Sequence, residues 1–208
     1  MKTANIWAVG RNYADHAKEL NNPLPKEPLV FLKAGSTATT GEAVQWPALF
    51  DGDIHHELEL ALRFGEDLRF DAMMLALDLT ARELQARLKG AGQPWTLAKS
   101  FRGSCPLSSP VPLPVGAWSN EDFLGSRLEL KVNGELRQSG RLAEMIFSPP
   151  VLSEWVRARF PVRPGDLLLT GTPAGVGPLR AGDQLEGLLT SPTQHLWLRH
   201  LWRVQPPT

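Results

Sequence analysis

His55-His-Glu-Leu-Glu-Leu-Ala-Leu-Arg-Phe64 alternates apolar and polar positions strictly enough to be read as a half-buried strand. Leu58, Leu60, Leu62 and Phe64 fall on one face, and Glu57 with Glu59 on the other. Two carboxylates side by side on a strand repel unless a cation or solvent separates them. For an isolated pair the plain reading is a solvated outer face. A third acid changes the balance. Asp78 is the lone charge in the apolar run Leu75-Ala-Leu-Asp-Leu79, and lone charges in such runs are rarely idle. Three oxygen ligands without a thiolate suit a hard cation, Mg²⁺ or Mn²⁺, with positions left for substrate and water. His55 shares the face of the two glutamates, which leaves a transition-metal site using that imidazole open.

Outward from this strand, 18 glycines and 18 prolines punctuate short apolar runs, the mark of a strand-rich fold with few helices. Arg127-Leu-Glu-Leu-Lys-Val132 alternates, and Asn133-Gly134 supplies the preferred type I′ dipeptide before Glu135-Leu-Arg-Gln138, which predicts a hairpin. Further strands are expected at Leu167–Thr170, after the turn Pro164-Gly165-Asp166, and near Leu185. Residues 106–116 read as a proline-rich loop. One helix is expected from Ala81 to Leu88, with Thr80 and Glu83 as a capping box and Gly90 ending it. A second runs from Pro149 to about Arg159, with Ser148 as N-cap and Val151, Leu152, Trp155 and Val156 on its buried side. A short third spans Tyr13 to Leu20, capped by Asn12.

The chain has 208 residues, 42% of them hydrophobic, enough for one core and one domain over 1–208. Its 22 basic and 22 acidic residues cancel, which speaks against nucleic-acid or membrane partners and leaves a small molecule or a second copy of the chain. The single Cys105 excludes an internal disulfide and a multi-cysteine zinc site, and reads as a packed side chain in a reducing compartment. Ile6-Trp7-Ala8-Val9 is too short for a signal segment or a span, so a cytoplasmic protein is expected.

Other residues carry candidate chemistry, each with a bland alternative. Lys99 lies in Trp95-Thr-Leu-Ala-Lys-Ser-Phe101, where alternation places it on the face of Trp95, Leu97 and Phe101; it either seeks an anion or snorkels at a strand edge. Arg82 and Gln85 are three apart on the first helix and could present a guanidinium and an amide to one carboxylate, or simply face solvent. In Asp15-His-Ala-Lys-Glu19 the spacing lets Glu19 orient the His16 imidazole, a pair able to activate water, or is an H-x-x-E of the kind common by chance. Thr170-Gly-Thr-Pro-Ala-Gly-Val-Gly177 is a glycine-rich loop after a strand, without the lysine of a Walker loop and without the dinucleotide pattern.

Taken in order, Gly10-Arg-Asn-Tyr-Ala-Asp-His16, Phe31-Leu-Lys33, His56-Glu-Leu-Glu59, Asp78-Leu-Thr-Ala-Arg82, Thr96-Leu-Ala-Lys-Ser-Phe101, Val132-Asn-Gly-Glu-Leu-Arg137, Met145-Ile-Phe147 and Leu169-Thr-Gly-Thr-Pro173 resemble the fumarylacetoacetate hydrolase superfamily, nearest its single-domain acylpyruvase and oxaloacetate decarboxylase branch. The resemblance implies an α+β, mainly β fold, a mixed β-roll or β-sandwich with a few short helices, assembled as a homodimer. It implies Mg²⁺ or Mn²⁺ on Glu57, Glu59 and Asp78, with Lys99, Arg82, Gln85 and Thr172 contacting a 2-oxo acid. His16 and Glu19 match the dyad of the hydrolytic members. The implied activity is carbon–carbon hydrolysis of acylpyruvates, with oxaloacetate decarboxylation or 2-oxo acid tautomerisation on the same centre. The rival is a metal-binding dimer module that has lost turnover. Two departures stand out. Only eighteen residues separate Glu59 from Asp78, fewer than is usual, which leaves a helix of little more than Asp71-Ala-Met-Met74. The strand around Ser191-Pro-Thr-Gln-His195 also differs from the usual pattern.

Overall fold

Two sheets meet across the largest apolar cluster, and the strand carrying the paired glutamates runs through the middle of the larger one. The computed structural model describes residues 5–19, 23–45 and 52–206. In the larger sheet the strands lie in the order Leu29–Ala34, Asn5–Gly10, Leu167–Leu169, Leu58–Phe64, Phe70–Leu77, Cys105–Leu107 and Ala38–Thr40, with Val111–Pro112 also paired to Phe70–Leu77. The Asn5–Gly10 pairing with Leu167–Leu169 and the Ala38–Thr40 pairing with Cys105–Leu107 are parallel, and the others are antiparallel, so the sheet is mixed. The second sheet orders Glu135–Arg141, Arg127–Val132, Gln184–Thr190, Leu196–Val204 and Ala43–Val44. A small third sheet joins Gly177–Pro178, Ile54–His56 and Thr80–Ala81. The fold is α+β and mainly β, with few and short helices. No helix among the described residues is long and apolar enough to cross a membrane.

The alternation in Leu58–Phe64 does position the core. Leu58, Leu60 and Leu62 pack with Met73, Leu75 and Leu77 against Leu128, Leu130, Leu185, Leu189 and Trp202 of the second sheet. Each fully buried leucine of this kind contributes ~1.5–3 kcal/mol. Phe64 departs from the expected face. The pairing with Phe70–Leu77 is irregular between Arg63 and Phe64, and Phe64 turns to the cluster of Trp7, Val9, Leu152 and Val156. The opposite face of the strand is covered too, where Ala61 packs with Ile6, Ala8, Met74 and Leu167. The glutamates are therefore not on a solvated outer face.

The expected hairpin forms, with Asn133 at φ 54° and Gly134 at φ 83° between its strands. Asp71-Ala-Met-Met74 is no helix remnant but part of the strand Phe70–Leu77, reached through a tight turn in which the Gly65 N–H donates to the Arg69 carbonyl. The proline-rich segment contains the short strands Cys105–Leu107 and Val111–Pro112. The first long helix is Arg82–Gly90, and its expected capping box is absent because both side chains are engaged elsewhere. The Thr80 hydroxyl donates to the Asp78 carbonyl, and the Glu83 carboxylate accepts from the Asp53 N–H. The other helix, Pro149–Arg157, buries Leu152 and Val156, half-buries Trp155 and exposes Val151, and the Ser148 side chain makes no capping bond. The short helix is Ala14–Glu19; Leu20 lies outside the described residues. Asn12 does not cap it, since its amide instead ties the chain to Phe147 and to the Thr170 carbonyl. Cys105 is buried, and burial pushes its thiol up to about 12, as suits a packed, unreactive side chain.

Candidate active site

Hairpin register brings the acids together. Leu58 pairs with Leu77, which puts Glu57 opposite Asp78, and the Asp78 N–H donates to the Glu57 carbonyl at 2.8 Å. The tight turn at 65–69 shortens the connection without displacing Asp78, because antiparallel pairing and not connection length sets the position. Glu59 lies one residue into the strand. Oxygen atoms of Glu57, Glu59 and Asp78 all lie within 4.8 Å of one another, and all three residues are buried.

Buried acids this close need cations, and three of them are held there. Lys99 Nζ donates to Glu57 at 2.8 Å and to Asp78 at 2.6 Å. Lys33 Nζ donates to the other Asp78 oxygen at 2.6 Å and to the Lys99 carbonyl. Arg82 donates to Glu57 and, at 2.9 Å, to the Gln85 amide oxygen. Burial opposes charge on Glu57, yet Lys99 and Arg82 hold its carboxyl well below the usual range. The same carboxylates raise Lys99 against the opposing effect of its burial. Glu59 is the exception. It accepts from the Gly171 N–H at 2.6 Å, and burial, then the charges of Asp78 and Glu57, push it well above the ordinary carboxylate range. A cluster of three oxygen donors, one of them without a cation, fits a hard divalent ion. His55 is not part of this set. It sits in the strand Ile54–His56 with Nδ1 buried and unpartnered, and burial, then the Arg82 charge, push it down to about 4.

The short helix Ala14–Glu19 and the glycine-rich loop complete the wall. His16 Nδ1 lies 3.3 Å from the Glu19 carboxylate, so the expected pair is formed, with His16 buried. Glu19 also accepts from the Gly175 N–H. The glycine-rich loop thus aims its N–H groups at the chain's own carboxylates, Glu59 and Glu19. Gly171 and Gly175 both hold left-handed φ, 95° and 97°, and a Cβ at Gly175 would run into the Arg137 carbonyl. Thr172 donates to the Leu58 carbonyl at 2.8 Å.

Sequence reasoning missed the group that locks these pieces together. Gln138, fully buried, accepts at Oε1 from the Leu58 N–H at 3.0 Å and meets His56 Nδ1 at 2.9 Å. Its Nε2 donates to Thr172 at 2.7 Å and to the Pro173 carbonyl at 2.9 Å. Since the Leu58 N–H can only donate, the amide orientation is determined and His56 carries its proton on Nδ1. Lys33 was also missed as a site residue, although a lone lysine in the apolar run Pro28-Leu-Val-Phe-Leu-Lys33 is the same signal that marked Asp78. Lys99 was found but misplaced. It ends the short helix Thr96–Lys99, on which Leu97 is exposed, rather than lying on a strand.

One cavity gathers His16, Glu57, Glu59, Asp78, Arg82, Gln85, Lys99 and Thr172, together with Arg11, Phe31, Lys89 and Trp95. Of the nine expected site residues only Glu19 is outside this lining, one step behind His16.

Residues 5–192 match the family described as fumarylacetoacetate (FAA) hydrolase C-terminal. The chain is 44% identical over 193 residues to a Bos taurus protein named oxaloacetate tautomerase FAHD1, mitochondrial, covering 88% of this chain and 85% of the relative. An Arabidopsis thaliana protein of the same name is 43% identical over 196 residues, 89% of this chain and 86% of that one. Among solved structures, a fumarylpyruvate hydrolase from Pseudomonas aeruginosa in complex with Mn²⁺ and pyruvate superposes with a TM-score of 0.83 at 28% identity, covering 98% of this chain and 90% of that one. A yeast fumarylacetoacetate hydrolase family protein gives a TM-score of 0.81 at 31% identity, covering 98% and 94%.

Proposed function

Because the chain belongs to the fumarylacetoacetate hydrolase family, we propose that it is an enzyme acting on a small 2-oxo acid, with Mg²⁺ or Mn²⁺ held by Glu57, Glu59 and Asp78. Its principal reaction in this reading is keto–enol tautomerisation of oxaloacetate. One observation carries it: a buried three-carboxylate cluster and His16, which Glu19 holds from behind, line the same cavity. The names of relatives at 42–45% identity support the substrate, and the Mn²⁺ and pyruvate of the Pseudomonas structure support the metal and the 2-oxo acid.

The cation, when bound, supplies Lewis acidity at the 2-oxo group. The chain's own residues do the rest. Tautomerisation moves one proton between C3 and the 2-oxo oxygen. Glu19 at Nδ1 orients the His16 ring and leaves Nε2 to take or return the C3 proton. Lys99 holds positive charge where negative charge develops on the oxygen. Arg82, Gln85 and Thr172 orient the acid, and the buried wall around them excludes water.

A second reading is favoured by the same histidine. With water in place of C3–H as the proton source, His16 would generate the nucleophile for carbon–carbon hydrolysis of an acylpyruvate. Decarboxylation of oxaloacetate needs only the electron sink. Absorbance decay of enol-oxaloacetate, acetylpyruvate cleavage and pyruvate release, each with Mg²⁺ and with a chelator, rank the three. No metal-dependent turnover of either substrate would refute the proposal and favour a module without activity. A homodimer and a cytoplasmic setting belong to the same proposal. Sedimentation at micromolar concentration tests the first, and fractionation of the source cells the second.

A further inference from the structure

Two cations in the cavity have no acid of their own. Arg11 and Lys89 both line it, and neither makes an ion pair among the described residues. The cavity's acids are already engaged: Glu57 by Lys99 and Arg82, Asp78 by Lys33 and Lys99, and Glu59 by the Gly171 N–H. Arg11 holds φ 61°, a conformation rare outside glycine, and its Nε is buried with no hydrogen-bond partner. Lys89 continues the face of Arg82 and Gln85 on the helix Arg82–Gly90, at the i, i+3, i+7 spacing. Its Nζ lies 4.9 Å from the centre of the Trp95 ring. Burial, then the Arg11 and Arg82 charges, lower the Lys89 ammonium to about 8.

Half-buried like charges held together are unfavourable unless an anion arrives between them. One tryptophan face does not neutralise two of them. Two helical turns carry the Lys89 backbone ~10 Å along the axis from Arg82. Arg11 and Lys89 share the cavity with the acidic cluster, so a 2-oxo acid whose oxo-carboxylate end lies at that cluster has this pair within the same enclosure. We infer that Arg11 and Lys89 form a subsite for the distal carboxylate of a dicarboxylic 2-oxo acid, with Lys89 setting the preference over substrates whose far end is uncharged. The inference rests on the proposed function for the orientation of the substrate.

The test separates the two. Titration calorimetry in Mg²⁺ compares L-malate, which has the length of oxaloacetate and is not cleaved, with 2-hydroxy-4-methylpentanoate, in which two methyl groups replace the distal carboxylate oxygens. Wild type is expected to bind malate roughly 10-fold tighter or more, the scale of a charge-assisted hydrogen bond. Lys89→Gln should remove most of that preference, and Lys89→Arg should restore it. In kinetics, Lys89→Gln should raise the KM for oxaloacetate by about 10–100-fold and change the KM for acetylpyruvate far less. Wild type turning over neither substrate would end the proposed function but leave the binding comparison standing. No preference for malate, or a preference that Lys89→Gln leaves intact, would overturn the subsite.

Discussion

Replacing Gln138 by leucine keeps the volume and removes four hydrogen bonds at the centre of the site. The Leu58 N–H, the His56 Nδ1–H and the Pro173 carbonyl lose their amide partner; Thr172 keeps its bond to the Leu58 carbonyl. Each buried polar group left unpaired costs about 1–3 kcal/mol, so three cost roughly 3–9 kcal/mol. Added apolar burial offsets about 1–2 kcal/mol of this. A net loss of about 1–8 kcal/mol follows, against a typical total of about 5–15 kcal/mol. Urea unfolding of metal-saturated protein measures it, with exposed Gln93→Leu as a control. Function should suffer with stability. Leu58 stands between the two glutamates, and losing its anchor frees the backbone that spaces them. Magnesium affinity should therefore fall in the fraction that remains folded. A Gln138→Leu protein within about 1 kcal/mol of wild type, with unchanged metal affinity, would show that water replaces the amide and that the knot holds nothing.

Glu59→Gln should abolish every metal-dependent activity and weaken Mg²⁺ binding, because it removes the one carboxylate of the cluster with no cation of its own; activity that survives a chelator would refute the site. His16→Ala should slow tautomerisation and acylpyruvate hydrolysis by about 10²-fold while sparing oxaloacetate decarboxylation, which needs no proton-transfer base. Lys99→Ala should depress all three reactions together, on the order of 10²-fold, as loss of one oxyanion donor does; equal losses in both variants, with metal content intact, would argue against a base role for His16. Stability should fall below pH 6.5. Burial, then Arg82, lowers His55 from 6.5 to about 4, and burial lowers His56, so both favour the folded state as neutral rings. Their contribution is intact above 6.5 and is lost progressively as the pH falls from 6.5 to the folded values, about 4 for His55. A thermal midpoint unchanged from pH 6.5 down to about 4 would contradict this.

The parts of the site that lay in the sequence were those with local periodicity. Glu57 and Glu59 were legible because alternation over Leu58–Phe64 is a two-residue pattern that needs no partner strand. Asp78 was legible as an unexplained charge in an apolar run. Lys99 was placed on a strand because the four-residue helix Thr96–Lys99 is too short to show a helical period, so chance alternation around it prevailed. The Thr80–Glu83 pattern fits a capping box, but Asp78 and Asp53 compete for those side chains, and tertiary contacts prevailed. Gln138 and Lys33 act across 82 and 45 residues of chain, and nothing local to either announces its partner. Arg11 and Lys89 were hidden for the converse reason: an unpaired cation is recognised only once every nearby acid is seen to be engaged.

Charge supports the proposed preference for an anionic substrate. Glu57 and Asp78 are ion-paired with three cations, Lys33, Lys99 and Arg82, while Glu59 has none of its own, so the cluster carries little net negative charge before any metal is bound. A divalent ion on that cluster leaves an excess of positive charge in a cavity whose walls are largely buried, and Arg11 and Lys89 add to it. In surroundings of low dielectric that excess is unfavourable until an anion enters. A monocarboxylate cancels part of it and a dicarboxylate more. The lysine and arginine side chains thus do two things at once in the proposed function: they offset the charge of buried acids that would hold a metal, and they make the occupied site incomplete without an anionic substrate.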